Sequence, residues 1–251
     1  YCHTPPRYLY GYPTATDWKK YWLGRVGGNI VNFFLRMKDF NLAQKVDFFI
    51  ANSMETQRRI QKFYRRDSTV IYPPVEVDGA FSPQKGEYFL IVSRLDLAKN
   101  IDLAIKACNR LKLPLKIVGH GKQESYLRSI SGKTVEFLGE VTDERKWEIY
   151  SKCKALIFSA RYEDFGIVPV EAMAAGKPVI ALREGGVTES VMEGKTGEFF
   201  DEPTVESLVR ALKNFKESNY KVEDCQAQAQ KFSKEIFKKR MKEFVESKAR
   251  S

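Results

Sequence analysis

The chain has 251 residues, of which 43% are hydrophobic and 13% aromatic, a composition typical of a folded protein and not of a disordered one. No run of 18 apolar residues occurs, so the sequence predicts no transmembrane helix. The net charge of +10 favours acidic partners such as nucleotides, nucleic acid or an anionic membrane surface, and it does not bear on the fold. The four cysteines are far apart, which indicates neither a zinc site nor a disulfide framework and favours a reducing compartment.

Residues 1–72 have the pattern of a partial α/β unit. An aromatic-rich stretch over residues 17–46 has helical spacing and is predicted to break near Gly27 and Gly28. Two strands with a helix between them follow, and Ser53 is predicted to cap that helix. The three segments are "DFFIANS", "METQRRIQKFY" and "STVIYPP". Proline and glycine are then frequent over residues 73–87, which predicts a linker.

Residues 89–200 alternate short apolar runs with segments of helical spacing. The predicted strands are the apolar segments "YFLIVSRL", "PLKIVGHG", "TVEFLGEV", "KALIFSA", "PVIALR" and "GEFFD", the second of which ends in glycines. Between the third and fourth strands, Thr142 is the predicted cap of a helix. Nearly all-apolar strands that alternate with helices predict a parallel sheet covered on both faces. The tail from Pro203 to Ser251 is predicted to be helical.

Polar or glycine-rich sequence follows four consecutive predicted strands. These segments are "SRLDLAKN", "GHGK", "GEVTDE" and "ARYEDFG". Ligands of doubly wound sheets bind outside the carboxyl ends of the strands. The sequence therefore predicts a ligand site at this edge of the sheet.

Two cations follow the first of these strands. Arg94 and Lys99 flank a short loop before a helix, where a guanidinium and an ammonium suit a diphosphate. The alternative is a pair of solvated surface charges. After the next strand, Gly119 and Gly121 would let the backbone approach a phosphate or sugar closely, although an ordinary tight turn also explains them. His120 between them is interpreted as a loop residue.

Two glutamates eight positions apart follow the fourth strand. Pro169 is tolerated in a first helical turn, so a helix is predicted to begin near Gly166 or Ile167. Its free N–H groups would face the crevice. Glu171 lies about one turn into this helix, and a carboxylate can accept two hydrogen bonds from a vicinal diol such as a ribose. The alternatives are an exposed loop acid for Glu163 and a solvent-facing helix residue for Glu171.

Two other signals have competing explanations. "DFG" at 164–166 also occurs in protein kinases, but the other kinase motifs are absent, which excludes that class. His3 could donate to a sugar hydroxyl, or it could be a structural histidine. The aromatic and basic stretches over residues 17–38 and 58–66 could meet lipid or nucleic acid, or could pack one apolar face in the core.

The segments "SRLDLAKN", "GHG", "FLGEVTDE" and "EDFGIVPVEAMAAGKPVIALREGG" together resemble the retaining glycosyltransferases of family 4. The E-x7-E element from Glu163 to Glu171 is a hallmark of that family. "YCHTPPRY" and "VIYPPVEVDGAF" resemble its subgroup of mannosyltransferases that build lipopolysaccharide O-antigen and similar polymers. The resemblance implies an α/β protein with the GT-B fold, in which two Rossmann-like domains face each other across a cleft.

The same resemblance implies a domain organisation in which the N-terminal part is incomplete. Residues 1–72 would be the C-terminal remnant of the acceptor-side domain, and residues 73–87 the linker. Residues 88–232 would form a complete Rossmann-like domain that binds the nucleotide-sugar donor. Residues 233–251 would form a helix that crosses back toward the N-terminal domain.

The resemblance also implies roles for individual residues. Arg94 and Lys99 would hold the diphosphate and neutralise the leaving group, and Glu171 would bind the ribose hydroxyls. Glu163 would hold hydroxyls of the transferred sugar, and His3 would reach that sugar across the cleft. The remaining implied donor contacts are Gly119, Gly121, the base-pocket residue Val141, and Asp164, Phe165, Gly166, Ile167 and Val168.

In the family the sugar is transferred with retention, by front-face attack with the leaving diphosphate as the base. The implied reaction moves a hexose, here mannose from GDP-mannose, to a glycan or lipid-linked acceptor, with no metal and no cofactor. The implied location is cytoplasmic, with peripheral association with an anionic inner-membrane surface and no nucleic-acid partner. The residues leave two alternatives open: a catalytically incomplete nucleotide-sugar-binding fragment, and a basic module that binds membrane or nucleic acid.

Overall fold

The computed structural model describes residues 1–12, 22–78 and 84–249, with the side chains of residues 22–26 left out. These residues form two compact units, Tyr1–Tyr72 and Pro73–Ser251. The second unit takes in the predicted linker, of which residues 79–83 lie outside the described residues. Residues 17–21 of the predicted aromatic helix also lie outside them.

The first unit opens with one long helix, α1 (Trp22–Gln44). It runs without interruption through Gly27 and Gly28, so the predicted break at this pair is wrong. A glycine weakens a helix by about 1 kcal/mol relative to alanine, but it keeps its backbone N–H. Unlike proline, it therefore removes no hydrogen bond from the helix.

A small parallel sheet follows α1. Strand β1 (Phe49–Ala51) pairs in parallel with β2 (Ser68–Val70), and α2 (Met54–Tyr64) connects them. Ser53 Oγ accepts the backbone N–H of Thr56 at 2.9 Å, which confirms the predicted cap.

The start of the chain adds to the other edge of β1. Cys2 forms a parallel bridge with Ala51, and its N–H donates to the carbonyl of Ile50 at 2.7 Å. His3 and Thr4 therefore follow a strand position, at the edge where β1 and β2 also end. Ala43, Ala51, Ile60 and Tyr64 form the buried core of this unit.

The second unit is built around six parallel strands. In chain order they are β3 (Tyr88–Val92), β4 (Leu115–Val118), β5 (Val135–Gly139), β6 (Cys153–Phe158), β7 (Val179–Leu182) and β8 (Gly197–Phe200). Their order across the sheet is β5-β4-β3-β6-β7-β8. All neighbouring pairs are parallel, which confirms the predicted parallel α/β architecture.

Helices cover both faces of this sheet. The helices between and after the strands are α3 (Ile101–Leu111), α4 (Glu124–Ser129), α5 (Asp143–Ser151), α6 (Ile167–Ala174), α7 (Val187–Ser190), α8 (Val205–Asn214), α9 (Val222–Gln230) and α10 (Lys234–Ala249). Helices α3 and α8 share one large apolar core with the strands, whereas α6 packs with α9. The crossover through α3 and the crossover through α6 proceed in opposite directions along the sheet, so right-handed connections place these two helices on opposite faces. None of the described helices is long and apolar enough to cross a membrane.

The strand order reverses between β3 and β6. From β3 the chain proceeds outward to β4 and β5, and from β6 it proceeds outward on the other side to β7 and β8. The two connections that leave the sheet here diverge and open a crevice at the carboxyl ends of β3 and β6. Three of the four predicted polar strand ends lie on one side of this crevice, and the fourth lies on the other.

Candidate functional site

Lys99 and Glu163 meet at the crevice between β3 and β6. Lys99 Nζ donates to Glu163 Oε2 at 2.6 Å, and about a fifth of each side chain is exposed. Lys99 ends a short 3-10 helix after β3, whereas Glu163 lies in the loop after β6. Two residues 64 positions apart in sequence thus become partners because their strands are neighbours.

The backbone holds the two loops together. Ser159 Oγ donates to the carbonyl of Lys99 at 2.8 Å, and the N–H of Arg161 donates to the carbonyl of Ala98 at 3.0 Å. The 3-10 helix Leu97–Lys99 is therefore anchored to the strand end that precedes Glu163. This anchoring fixes where the Lys99 side chain begins.

Arg94 occupies a different environment from Lys99. Its side chain is 79% exposed, and its Nε lies 3.9 Å from Asp96 Oδ2, a contact too long for a hydrogen bond. The guanidinium can therefore reorient toward an anion in the crevice at little cost. The structure brings Lys99 and Glu163 together and leaves Arg94 exposed at the same strand end.

The two glycines after β4 allow a close backbone approach. A Cβ at Gly119 would lie 2.0 Å from the carbonyl oxygen of Ser93, and one at Gly121 would lie 2.6 Å from that of Leu95. The N–H of Leu95 in turn donates to the carbonyl of His120 at 2.9 Å. The glycines therefore pack against the loop that carries Arg94, a structural role beside the predicted donor contact, which stays a prediction.

Helix α6 begins at Ile167, as predicted. Its cap residue, Gly166, has a positive φ of 87° and no side-chain oxygen to satisfy the first N–H groups of the helix. Phe165 is buried, with its ring centroid 5.3 Å from that of Phe232, so only its backbone can serve a ligand. Ile167 is exposed at the helix start and Val168 is partly buried behind it.

Glu171 is neither solvent-facing nor unpaired. Only 13% of its side chain is exposed, and both oxygens accept hydrogen bonds from α5. Lys146 Nζ donates to Oε1 at 3.1 Å, and the Tyr150 hydroxyl donates to Oε2 at 2.9 Å. The carboxylate is therefore held in one plane, and the solvent-facing alternative for Glu171 is wrong.

Both donors to Glu171 keep their protons at physiological pH. Burial, and then the charge of Glu171, raise the pKa of Tyr150 well above its usual value. Burial alone would lower the pKa of Lys146, but the charge of Glu171 and hydrogen bonds to Asp143 and Glu171 outweigh it and raise that pKa. The ammonium and the hydroxyl thus remain hydrogen-bond donors to the carboxylate.

A glycine pair and a glutamate after β7 shape the loop that carries Glu163. A Cβ at Gly185 would lie 2.5 Å from the carbonyl oxygen of Glu163, and one at Gly186 would lie 2.2 Å from that of Asp164. The N–H of Gly186 donates to the carbonyl of Glu163 at 2.9 Å. Glu184 accepts from Arg161 Nε at 3.0 Å and from the N–H of Tyr162, which has a positive φ of 56°.

The sequence did not predict the contacts of Lys146 and Tyr150 with Glu171, nor the packing of the loop after β7 against the loop that carries Glu163. The signals were present as "REGG" directly after the fifth apolar run and as Lys146 and Tyr150, which are four positions apart on a predicted helix. Such spacing places two side chains on one helix face. It does not say which other helix that face meets.

Two further predicted residues lie near the same edge. Val141, the predicted base-pocket residue, is partly buried between β5 and α5, where Thr142 caps α5 as predicted by accepting the N–H of Arg145 at 3.3 Å. His120 Nδ1 lies 2.9 Å from Glu140 Oε1, and both side chains are largely exposed. This exposure agrees with the interpretation of His120 as a loop residue.

His3 belongs to the first unit. Its side chain is exposed, its ring lies edge-on to Tyr1 with centroids 5.1 Å apart, and its carbonyl accepts from Thr56 Oγ1 at 3.1 Å. Its backbone is therefore fixed at the N-terminus of α2. The predicted reach of His3 toward the donor sugar stays a prediction.

The site offers hydrogen-bond acceptors and cations for a polar anionic ligand. In residues 1–12, 22–78 and 84–249 no group of three or more His, Cys, Asp or Glu side chains is arranged to hold a metal ion. The prediction that the protein needs no metal stays a prediction. Lys99, Arg94 and the start of α6 can meet negative charge, whereas Glu163 and Glu171 can accept from hydroxyl groups.

A doubly wound parallel sheet with charged loops at its switch point defines an α/β protein that binds its ligand at the strand ends. The family model of glycosyl transferases group 1 matches residues 76–232. The chain therefore belongs to the glycosyl transferases group 1 family. The match covers all six strands of the second unit and the loops of the site.

Curated relatives resemble the chain over part of their length. An uncharacterized glycosyltransferase, MJ1178, from Methanocaldococcus jannaschii is 29% identical over 155 residues, which are 60% of this chain and 44% of that protein. The alpha-1,3/1,6-mannosyltransferase ALG2 of Homo sapiens is 29% identical over 207 residues, 67% of this chain and 50% of that protein. The chain thus spans about half the length of these curated relatives.

Solved structures share the fold. The crystal structure of Anabaena Alr3699/HepE in complex with UDP and glucose superposes with a TM-score of 0.73 at 22% identity. The superposition covers 84% of this chain and 66% of that one. The likeness agrees with the predicted GT-B type of α/β fold.

Proposed function

We propose that this chain carries the donor-binding part of a retaining glycosyltransferase, which moves a hexose from a nucleotide sugar to a hydroxyl of an acceptor. The observation that supports this proposal best is the meeting of Lys99 and Glu163 at the switch point of the sheet. A cation for a phosphate and an acceptor for sugar hydroxyls stand side by side there. Family membership supports the same reaction class.

Each part of the donor has a matching group in the second unit. Lys99 and Arg94 would bind the diphosphate, the N–H groups at the start of α6 would add to the positive potential, and Glu163 would accept from hydroxyls of the sugar. Glu171 would accept from the ribose hydroxyls. Val141 and its neighbours would line the pocket of the base.

The proposed reaction proceeds on one face of the sugar. The bond between the anomeric carbon and the diphosphate oxygen breaks, and the acceptor oxygen bonds to that carbon from the same side. The acceptor proton passes to the leaving diphosphate oxygen. Lys99 and Arg94 would stabilise the negative charge that develops on the leaving group, a contribution that is greatest where water is partly excluded.

The proposed donor is GDP-mannose. The likeness to the mannosyltransferase ALG2 supports it, because that relative is named for mannose transfer. The competing donor is UDP-glucose, which the complex of the HepE structure with UDP and glucose supports. Both donors carry a diphosphate and a ribose, so Lys99 and Glu171 would serve either one.

The proposed acceptor is a glycan or a lipid-linked glycan at an anionic membrane surface. Residues 1–72 carry twelve of the Lys and Arg residues against five Asp and Glu, and α1 exposes Ile30, Phe33 and Phe34 over more than half of each side chain. Exposed apolar side chains beside an excess of positive charge suit such a surface. We propose in addition that the protein is cytoplasmic, associates peripherally with this surface and has no nucleic-acid partner.

Isothermal titration with GDP, GDP-mannose, UDP and UDP-glucose tests whether the protein binds a nucleotide-sugar donor. We expect GDP and GDP-mannose to bind most tightly. A folded sample that binds none of the four would refute the proposal. Preference for UDP-glucose would keep the reaction class and change the donor.

A sugar-transfer assay distinguishes an enzyme from a fragment that only binds the donor. Radiolabelled GDP-mannose is incubated with this chain, with a longer form of the protein if one is encoded, and with a lipid-linked oligosaccharide. Transfer with the α-linkage retained supports the enzyme. Donor binding without transfer by either form would favour the binding alternative.

A further inference from the structure

Lys146 and Tyr150 present one face of α5 to Glu171. They lie four positions apart, which is about one helical turn. Each donates to a different oxygen of the carboxylate, at 3.1 Å and 2.9 Å. A carboxylate held at both oxygens cannot rotate freely, so its orientation is set by α5 and not by α6 alone.

This arrangement leaves a defined part of Glu171 for a ligand. A carboxylate has about four lone-pair positions, and α5 occupies one on each oxygen. One position on each oxygen remains, which matches the two neighbouring hydroxyls of a ribose. Glu171 can accept a hydrogen bond from each of the two ribose hydroxyls at the same time only if the plane of its carboxylate stays fixed relative to the crevice.

Of the two residues that donate to Glu171, Lys146 is fixed by hydrogen bonds but does not belong to the buried core. Its side chain is 20% exposed, and its Nζ also contacts Asp143 Oδ1 at 3.1 Å, one turn earlier on α5. Tyr150 is completely buried, so its removal would also change packing. Lys146 is therefore the residue whose effect on Glu171 can be separated from an effect on the fold.

We propose that Lys146 is a positioning residue for the ribose of the donor. It orients the Glu171 carboxylate so that both ribose hydroxyls are bound, and it thereby makes the site prefer ribonucleotides to deoxyribonucleotides. The inference rests on the proposed function, because it requires that Glu171 binds a nucleotide. Lys146 itself contacts Glu171 and not the ribose.

Titration calorimetry with GDP, 2′-deoxy-GDP and 3′-deoxy-GDP tests the inference. If the protein binds UDP more tightly than GDP, the same three measurements are made with UDP and its 2′-deoxy and 3′-deoxy analogues. For the unmodified protein we expect each deoxy analogue to bind about 10-fold more weakly, because each loses a hydrogen bond to a charged group. In Lys146→Met the affinity for the ribonucleotide should fall toward that of the analogues. The preference should shrink to about 3-fold or less.

The preference distinguishes positioning from a general structural role. A variant that merely loosens α5 would weaken the binding of all three nucleotides equally, and the preference for the ribonucleotide over its deoxy analogues would not change. Lys146→Arg should restore most of it, because the guanidinium can still donate to Oε1. Lys152→Met is the matched control at the C-cap position directly after α5, since Lys152 pairs with Glu148 at 2.8 Å and not with Glu171. It should keep the preference of the unmodified protein.

The outcomes separate this inference from the proposed function. A Lys146→Met protein that melts at the normal temperature and keeps or increases the ribose preference overturns the inference and leaves the proposed function in place. An unmodified protein that binds no nucleoside diphosphate overturns both. Loss of the preference in Lys146→Met, but not in Lys152→Met, supports the inference.

Discussion

Lys99 donates to Glu163 at 2.6 Å across the crevice where the strand order of the sheet reverses. In the proposed reaction these two residues bind different parts of one donor, the diphosphate and the sugar. Each therefore partly neutralises the other until the donor enters. Diphosphate binding must compete with the carboxylate for Lys99, which gives Glu163 an influence on nucleotide affinity.

The first prediction concerns Lys99. Lys99→Met should weaken binding of a nucleoside diphosphate by about 10- to 100-fold, because a partly buried charge-assisted contact is worth about 1.5–3 kcal/mol. Isothermal titration measures this loss. Lys106→Met serves as the control, because Lys106 pairs with Asp102 at 2.7 Å on α3. If Lys99→Met and the unmodified protein bind the nucleoside diphosphate with equal affinity, Lys99 does not contact the diphosphate.

The second prediction concerns Glu163. Glu163→Gln should bind the nucleoside diphosphate at least as tightly as the unmodified protein, because Lys99 loses its competing carboxylate. The same variant should lose the additional affinity that the sugar of a nucleotide sugar provides. Titrations with GDP and GDP-mannose compare the two effects. A Glu163→Gln protein with weakened GDP binding and an intact sugar contribution would contradict the assignment.

The third prediction concerns the glycine pair after β7. Gly186 has an ordinary φ of −65°, but a Cβ there would lie 2.2 Å from the carbonyl oxygen of Asp164. Gly186→Ala should therefore lower the free energy of unfolding by about 2–3 kcal/mol, since backbone atoms must move. Urea unfolding followed by circular dichroism measures it.

Gly194→Ala is the control for that substitution. Gly194 has a φ of 71°, and nothing lies within 4 Å of its Cβ position. Its substitution should cost only the strain of a left-handed backbone, about 1–2 kcal/mol. A Gly186→Ala protein as stable as the unmodified one would show that the loops after β6 and β7 are not packed as described.

The fourth prediction concerns pH. Burial raises the pKa of Cys108, Cys153 and Cys225 to about 12 from 9.0. In the unfolded chain these thiols lose their protons above about pH 9, whereas in the folded protein they keep them. The unfolded state then binds fewer protons, so the free energy of unfolding falls as pH rises from 9 toward 12.

Two measurements check the pH prediction. Urea unfolding at pH 8, 9.5 and 10.5 should show a falling midpoint, and a rising midpoint would contradict it. Ellman's reagent at pH 8 should react with the native protein at Cys2 alone, because the other three thiols are fully buried. All four thiols should react in denaturant.

Much of the fold follows from local sequence. Ser53 and Thr142 cap their helices as predicted, because a side-chain oxygen before a helical run has a free N–H to accept three residues on. The start of α6 near Gly166 follows from Pro169, because proline is tolerated in the first turn of a helix. The prediction failed at Gly27 and Gly28, where the low helix propensity of glycine was too weak to end a long helix.

The amino-acid sequence alone was enough to predict which residues follow each strand, because a short apolar run marks each strand and the polar residues after it mark its end. It also predicted Arg94, Lys99, Glu163 and Glu171 as candidate site residues. Which of these residues contact each other depends on the arrangement of the strands in the folded protein. Strand order is set by packing between distant segments, and it makes β3 and β6 neighbours, so that Lys99 reaches Glu163 while Arg94 stays exposed. The partners of Glu171 likewise depend on α5 lying beside α6, a contact that no local pattern in either helix contains.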